Sequence, residues 1–128
     1  MHARRQKWYF LDWTYSSKEG TRFENMIATA LYRFTFSLKD RGWPEVKLFF
    51  FRTYDKKEVD FLLTLNGKPI LAVEAKLGAN NIAPQLRKFR QSHDLDFPII
   101  QVVYEPGVML KKGKGEYLVG YDKFLMLL

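Results

Sequence analysis

The chain has 128 residues, 47% of them hydrophobic and 16% aromatic, with no cysteine. That bounds it to one globular domain with a real core and excludes a disulfide scaffold, a thiolate metal site and a disordered tail. Lys and Arg number 21 against 14 Asp and Glu, a net charge of +7 and a pI of about 9.6, which favours polyanionic partners, nucleic acid first and acidic lipid second, with plain solubility as the alternative.

The opening residues up to about Lys18 are rich in aromatics (Trp8, Tyr9, Phe10, Trp13, Tyr15) and lack a clear period, with WYFL as a short strand and SSKEG as a loop. Arg4, Arg5 and Lys7 are not followed by an apolar signal core, and no apolar run is long enough to span a bilayer, so the expectation is a cytoplasmic protein without a membrane partner. The abrupt start reads as a chain that begins partway through something longer.

From Thr21, a candidate N-cap, the period becomes helical: Phe23, Ile27, Ala30, Leu31 and Phe34 form one apolar stripe. Glu24 lies at the edge of that stripe, near the core boundary, where an acid in a first helical turn also suits the helix dipole. DRGWP ends the helix in a turn, and VKLFFFR, from Val46 to Arg52, reads as a buried strand. KKEVDFLLTLNGKPILAVEAK, from Lys56 to Lys76, reads as two strands and a tight turn. Asn80 or Asn81 caps a short helix with Pro84 in its first turn. Ile82, Leu86 and Phe89 face inward there, and Arg87, Lys88 and Arg90 make it basic. PIIQVVY is a further buried strand, residues 105–115 a Gly- and Lys-rich loop, EYLVGY a short edge strand, and DKFLMLL a final apolar helix or strand. The order helix, three strands, helix, strand, with extras at both ends, is a mixed α/β layout.

The hairpin decides which charged residues meet. Side chains alternate along a strand, so turn length sets whether Asp60 and Glu74 share a face. A two-residue Asn66-Gly67 turn opposes Asp60 to Val73 and sends Glu74 the other way. A three-residue Leu65-Asn66-Gly67 loop opposes Asp60 to Ala72, diagonal to Glu74, and leaves Val59, Phe61, Leu63, Pro69, Leu71, Val73, Ala75 and Leu77 as one apolar face. The cleaner faces favour the three-residue loop, which gathers Glu58, Asp60, Glu74 and Lys76 at one end. Two adjacent carboxylates repel unless a cation or proton lies between them, and an oxygen-only set suits Mg²⁺ or Mn²⁺. With a lysine on the same face, that suggests phosphodiester hydrolysis by an activated water. The plain alternative is a surface ion-pair network, each pair worth little.

Asp60 followed after thirteen residues by Glu74-Ala75-Lys76 resembles the signature of the PD-(D/E)xK nuclease superfamily. KWYFLDW, RFENMIA, EVDFLL, GKPILAVEAK and PIIQVVY, from about Lys7 to Leu125, are similar in order to the uncharacterised C-terminal domain behind the ATPase core of many prokaryotic AAA-type ATPases. The resemblance implies an α/β restriction-endonuclease-like core in residues 20–104, between an irregular aromatic segment 1–19 and a C-terminal loop, edge strand and apolar end in 105–128. It implies Mg or Mn held by Asp60, Glu74, the Ala75 carbonyl and Glu24, with Lys76 positioning the attacking water. Gln85 corresponds loosely to a glutamine of some superfamily branches, though the aromatic four residues on is Phe89 and not Tyr. Val59 stands where the superfamily name has proline. His93 is solitary and reads as a surface residue.

The implied function is a metal-dependent nuclease acting on DNA, with Arg87, Lys88, Arg90, Lys111, Lys112 and Lys114 touching phosphates. No phosphate-binding G-x-x-x-x-G-K-[ST] loop occurs in the chain, so an AAA-type ATPase module is an expected partner absent from it, and a homo-oligomer is a further expectation. The second functional reading is a catalytically inactive module of the same fold that binds nucleic acid or docks on protein and regulates an attached ATPase, motivated by the aromatic N-terminus and the FLMLL end.

Overall fold

The computed structural model describes residues 19–43, 45–50, 60–92 and 96–128. The aromatic segment 1–18, residues 51–59 with Glu58 and Val59, and His93 lie outside the described residues. The elements are α1 (Glu19–Asp40), β1 (Val46–Phe50), β2 (Phe61–Leu65), β3 (Lys68–Lys76), α2 (Pro84–Ser92), β4 (Ile99–Val103), β5 (Met109–Gly113), β6 (Glu116–Gly120) and α3 (Tyr121–Leu127). This is a mixed α/β fold containing the expected helix, three strands, helix, strand order. Among the described residues, no helix is long and apolar enough to cross a membrane.

The six strands form one sheet in the order β1-β2-β3-β4-β6-β5. The β3–β4 and β4–β6 pairs are parallel, and the outer pairs are antiparallel. A parallel pair requires a crossover, which α2 supplies between β3 and β4. Both faces are covered. On one, Phe23, Ile27 and Leu31 of α1 and Phe124 of α3 pack on Leu48, Phe61, Leu63, Val73, Ala75 and Val102. On the other, Ile82, Leu86 and Phe89 at α2 pack on Leu62, Ala72 and Ile99. Burial on two sides explains why β4, IIQVV, is buried throughout and shows no alternation.

Thr21 lies inside α1 and does not cap it. The helix ends as its sequence requires: the Gly42 amide donates to the Lys39 carbonyl (3.0 Å) and the Trp43 amide to the Leu38 carbonyl (3.0 Å). That paired closure needs a left-handed residue, and Gly42 has φ 90°.

Two expectations change at the C-terminal end. Residues 109–113, expected within a loop, form β5, whose fully exposed MLKK run carries no burial alternation to betray it. EYLVG is consequently not an edge strand but lies between β4 and β5. DKFLMLL is helical, with Phe124 alone fully buried.

The hairpin also differs from the three-residue loop. Leu65 pairs with Lys68, so the turn is Asn66-Gly67 alone, with φ 52° and 79°, the doubly left-handed form that Asn-Gly prefers. Between Leu63↔Leu71 and Thr64↔Pro69 the register shifts, which leaves Ile70 as an extra residue on β3. The turn is one residue shorter than expected and the bulge adds one back, so the face parity of the longer loop is recovered. Ile70 and Leu71 both border the α1-side cluster, whereas Ile70 was expected on the charged face.

Because Gly67 sits at φ 79° with nothing within 4 Å of a built Cβ, Gly67→Val meets backbone strain without a steric clash. It should lower stability by about 1–2 kcal/mol in denaturant unfolding, the usual cost of a left-handed position for a residue with a Cβ. An unchanged midpoint would mean that the turn readily adopts another form.

Candidate metal-type acidic site at the end of β3

Phe61 pairs with Val73, so the register carried one residue further sets Asp60 opposite Glu74, not opposite Ala72 as the three-residue loop implied. Directly opposed residues stand roughly 5 Å apart at Cβ. Asp60 lies just before β2, and its Oδ2 accepts the Ala75 amide at 3.0 Å. That bond fixes the carboxylate of one strand against the backbone of the other, one residue from Glu74.

Glu74 is 2% exposed, deep enough that a carboxylate needs polar company. Its Oε1 accepts from Gln85 Nε2 at 2.6 Å, and its Oε2 lies 3.8 Å from Lys76 Nζ. Gln85, the loosest match in the sequence, is thus in direct contact with the buried acid. It is there because Pro84 starts α2, and Gln85 is half-buried beside inward-facing Leu86. Lys76, two residues beyond Glu74, keeps the same face with its side chain 47% exposed, so its ammonium group reaches both the acid and solvent.

Gln101 was not singled out in the sequence. It pairs with Glu74 across β3 and β4 and is 0% exposed. Its Oε1 accepts the Ala83 amide at 3.1 Å, and its Nε2 donates to the Glu74 carbonyl at 3.4 Å. One amide therefore joins the strand carrying Glu74 to the residue just before the helix carrying Gln85. The available signal was a lone polar residue within an apolar buried run.

Glu24 is half-buried on α1, which packs on the opposite face of the sheet from α2. Its neighbour Phe23 lies 5.4 Å from the Tyr104 ring, and the Tyr104 amide donates to the Leu77 carbonyl just past Lys76. Glu24 therefore stands at the same end of the sheet as the other acids. Among the described residues no group of three or more His, Cys, Asp or Glu is disposed to hold a metal. The geometry joins Asp60, Ala75, Glu74, Lys76 and Gln85, and does not gather Glu24 into a three-acid cluster with them.

The basic residues separate by role. Arg87 Nε and Arg90 NH2 donate to opposite oxygens of Glu116, each at 3.0 Å. Arg90 NH1 also reaches the Lys114 and Gly115 carbonyls at 3.1 and 3.2 Å. These two arginines, expected at phosphates, fasten α2 to the start of β6. Lys88 is exposed on α2. Lys111 and Lys112 are exposed on edge strand β5, three strand positions from β3 and so roughly 14 Å across the sheet. Lys114 lies 3.8 Å from Asp96, both strongly exposed.

Residues 19–123 match the family model described as "Domain of unknown function (DUF4143)", and the chain belongs to that family. Comparison with curated proteins and with solved structures finds no match.

Glu116 is the shared acceptor of two guanidinium groups, so Glu116→Ala should cost about 2–3 kcal/mol in denaturant unfolding, somewhat below the loss for a fully buried pair because Arg87 is partly solvated. Gly113→Ala, whose Cβ would stand 2.6 Å from Glu116 Oε1, should weaken the same contact in part. If Glu116→Ala unfolds like the parent, the clamp contributes nothing.

Proposed function

We propose that this member of the DUF4143 family is a divalent-metal-dependent phosphodiesterase domain that hydrolyses DNA, built on the PD-(D/E)xK pattern and normally joined to an AAA-type ATPase module. The observation that carries the reading is the juxtaposition of Asp60 and Glu74 across the hairpin, with Lys76 Nζ 3.8 Å from Glu74 Oε2. The donor set fits Mg²⁺ or Mn²⁺: Asp60, Glu74 and the Ala75 carbonyl supply only oxygen, and Mg²⁺ commonly binds through one or two carboxylates while keeping waters for itself and for phosphate. When bound, the ion supplies charge neutralisation at the phosphate and an activated water.

The chain's own residues do the rest. Asp60, held by the Ala75 amide, keeps its carboxylate in place without reorganisation. Gln85 orients the Glu74 carboxylate through Oε1, and Gln101 holds the Glu74 backbone. The Lys76 ammonium group hydrogen-bonds the attacking water or neutralises charge developing on the phosphate as the bond to the leaving oxygen breaks. Lys88, Lys111, Lys112 and Lys114 extend a positive surface for the polyanion, attracting it without reading sequence.

A second reading, an inactive module that regulates an attached ATPase, is favoured by the exposed Leu125, Met126 and Leu127 of α3, which offer an apolar contact surface.

Calorimetric Mg²⁺ or Mn²⁺ titration and cleavage of plasmid and branched DNA distinguish the two. Asp60→Ala and Glu74→Ala should abolish metal binding and cleavage. Gln85→Leu should weaken metal affinity about 10-fold, the scale of lost ligand-orienting contacts. Lys76→Ala should leave metal affinity intact and lower cleavage by about 100-fold or more. Unchanged metal binding in the two acid variants would remove the metal site, and bound metal with intact DNA would favour the regulatory module.

A further inference from the structure

Beyond the acidic site, the same end of the sheet carries an open cavity of about 870 Å³ on the α1 side, lined by Arg22, Asn25, Met26, Arg33, Leu77 and Tyr104 among others. Its size is that of a site for a drug-sized or nucleotide-sized ligand. It adjoins the acidic site through the backbone, because the Tyr104 amide donates to the Leu77 carbonyl, one residue past Lys76.

Tyr104 is 56% exposed, unusual for a ring so well supported. It rests against Tyr121 at 4.9 Å and 33° and against Phe23 at 5.4 Å, which fixes it as a platform with one side open. Asn25 is 2% exposed, and neither its amide oxygen nor its amide nitrogen has a hydrogen-bond partner. A buried amide lacking both partners is costly, and one lining a cavity is a donor–acceptor pair awaiting a ligand. Arg22 and Arg33 outnumber the one acid, Glu19, on the same wall. An aromatic platform, a donor–acceptor pair and a basic wall match, in turn, the face of a nucleobase, its polar edge and a flanking phosphate.

We propose that this cavity is a subsite for an unpaired nucleobase, so that the nucleic acid presented to the Asp60–Glu74 end is single-stranded or splayed, not continuous duplex. The base stacks on Tyr104, its edge meets Asn25, and Arg33 takes an adjoining phosphate. A paired base cannot present both its face and its edge to such a site, which gives discrimination without reading sequence. The proposal rests on the nucleic-acid reading of the preceding subsection but does not require cleavage.

Binding of a fluorescently labelled single-stranded DNA 12-mer and of its blunt duplex, measured by anisotropy with EDTA present, tests it independently of metal and catalysis. The parent should prefer the single strand. Tyr104→Ala should weaken single-strand binding about 10-fold and leave duplex binding within twofold. Asn25→Leu removes the orphaned amide, so it should raise the melting temperature of the free protein while weakening single-strand binding. Equal affinity for both DNA forms, or parental single-strand binding by Tyr104→Ala and Asn25→Leu, would overturn the subsite. Loss of metal binding with these effects intact would overturn only the hydrolytic reading.

Discussion

One extra residue in β3 determines which side chains meet at the end of the hairpin. Without the bulge at Ile70, the Asn66-Gly67 turn would place Asp60 opposite Val73 and send Glu74 to the other face. With it, two acids stand opposite one another while Phe61, Leu63, Val73 and Ala75 remain together under α1. The same shift thus serves the core and the acidic site. Neither could tolerate the alternative register, because slipping by one residue would put Glu74 and Lys76 among the α1-side apolar groups and turn Val73 and Ala75 to the α2 face.

The second constraint is polar burial. A carboxylate shielded from water is tolerable when hydrogen bonds and countercharge compensate for lost hydration. Glu74 obtains these from residues on three elements: Gln85 on α2, Lys76 on β3 itself, and Gln101 on β4 at its backbone. The crossover that β3 and β4 need for parallel pairing is also what delivers Gln85 to the acid. Topology and site chemistry are linked through one short helix, anchored below by Leu86 and Phe89 and at its far side by Glu116.

Much of this was legible in the sequence, and the failures have physical causes. The α1 stripe, the inward face of α2 and the wholly apolar β4 follow from periodicity, because burial on one or two sides leaves a direct imprint. Turn chemistry pointed to Asn66-Gly67, but polarity preferred a longer loop, since a bulge two residues away changes parity without leaving a composition signal. MLKKG reads as loop because an edge strand facing solvent on both sides has no buried face to pattern. The pairing of Arg87 and Arg90 with Glu116 was not legible because that acid is 26 residues or more away in sequence. For the candidate site, the residues Asp60, Glu74, Lys76 and Gln85 were visible as types and spacings. Gln101 and Asn25 were not, since only burial and the state of their amides distinguish them from ordinary polar residues.

The lysines of β5 have a consequence for assembly. An open sheet edge is a template for another strand, and charge on that edge is a common guard against pairing between copies. Lys111 and Lys112 stand on such an edge, so two molecules approaching β5 to β5 meet like charge at short range. A polyanion laid along those lysines neutralises that repulsion. Self-association through the sheet edge is therefore opposed by electrostatics, and that guard weakens wherever those charges are screened.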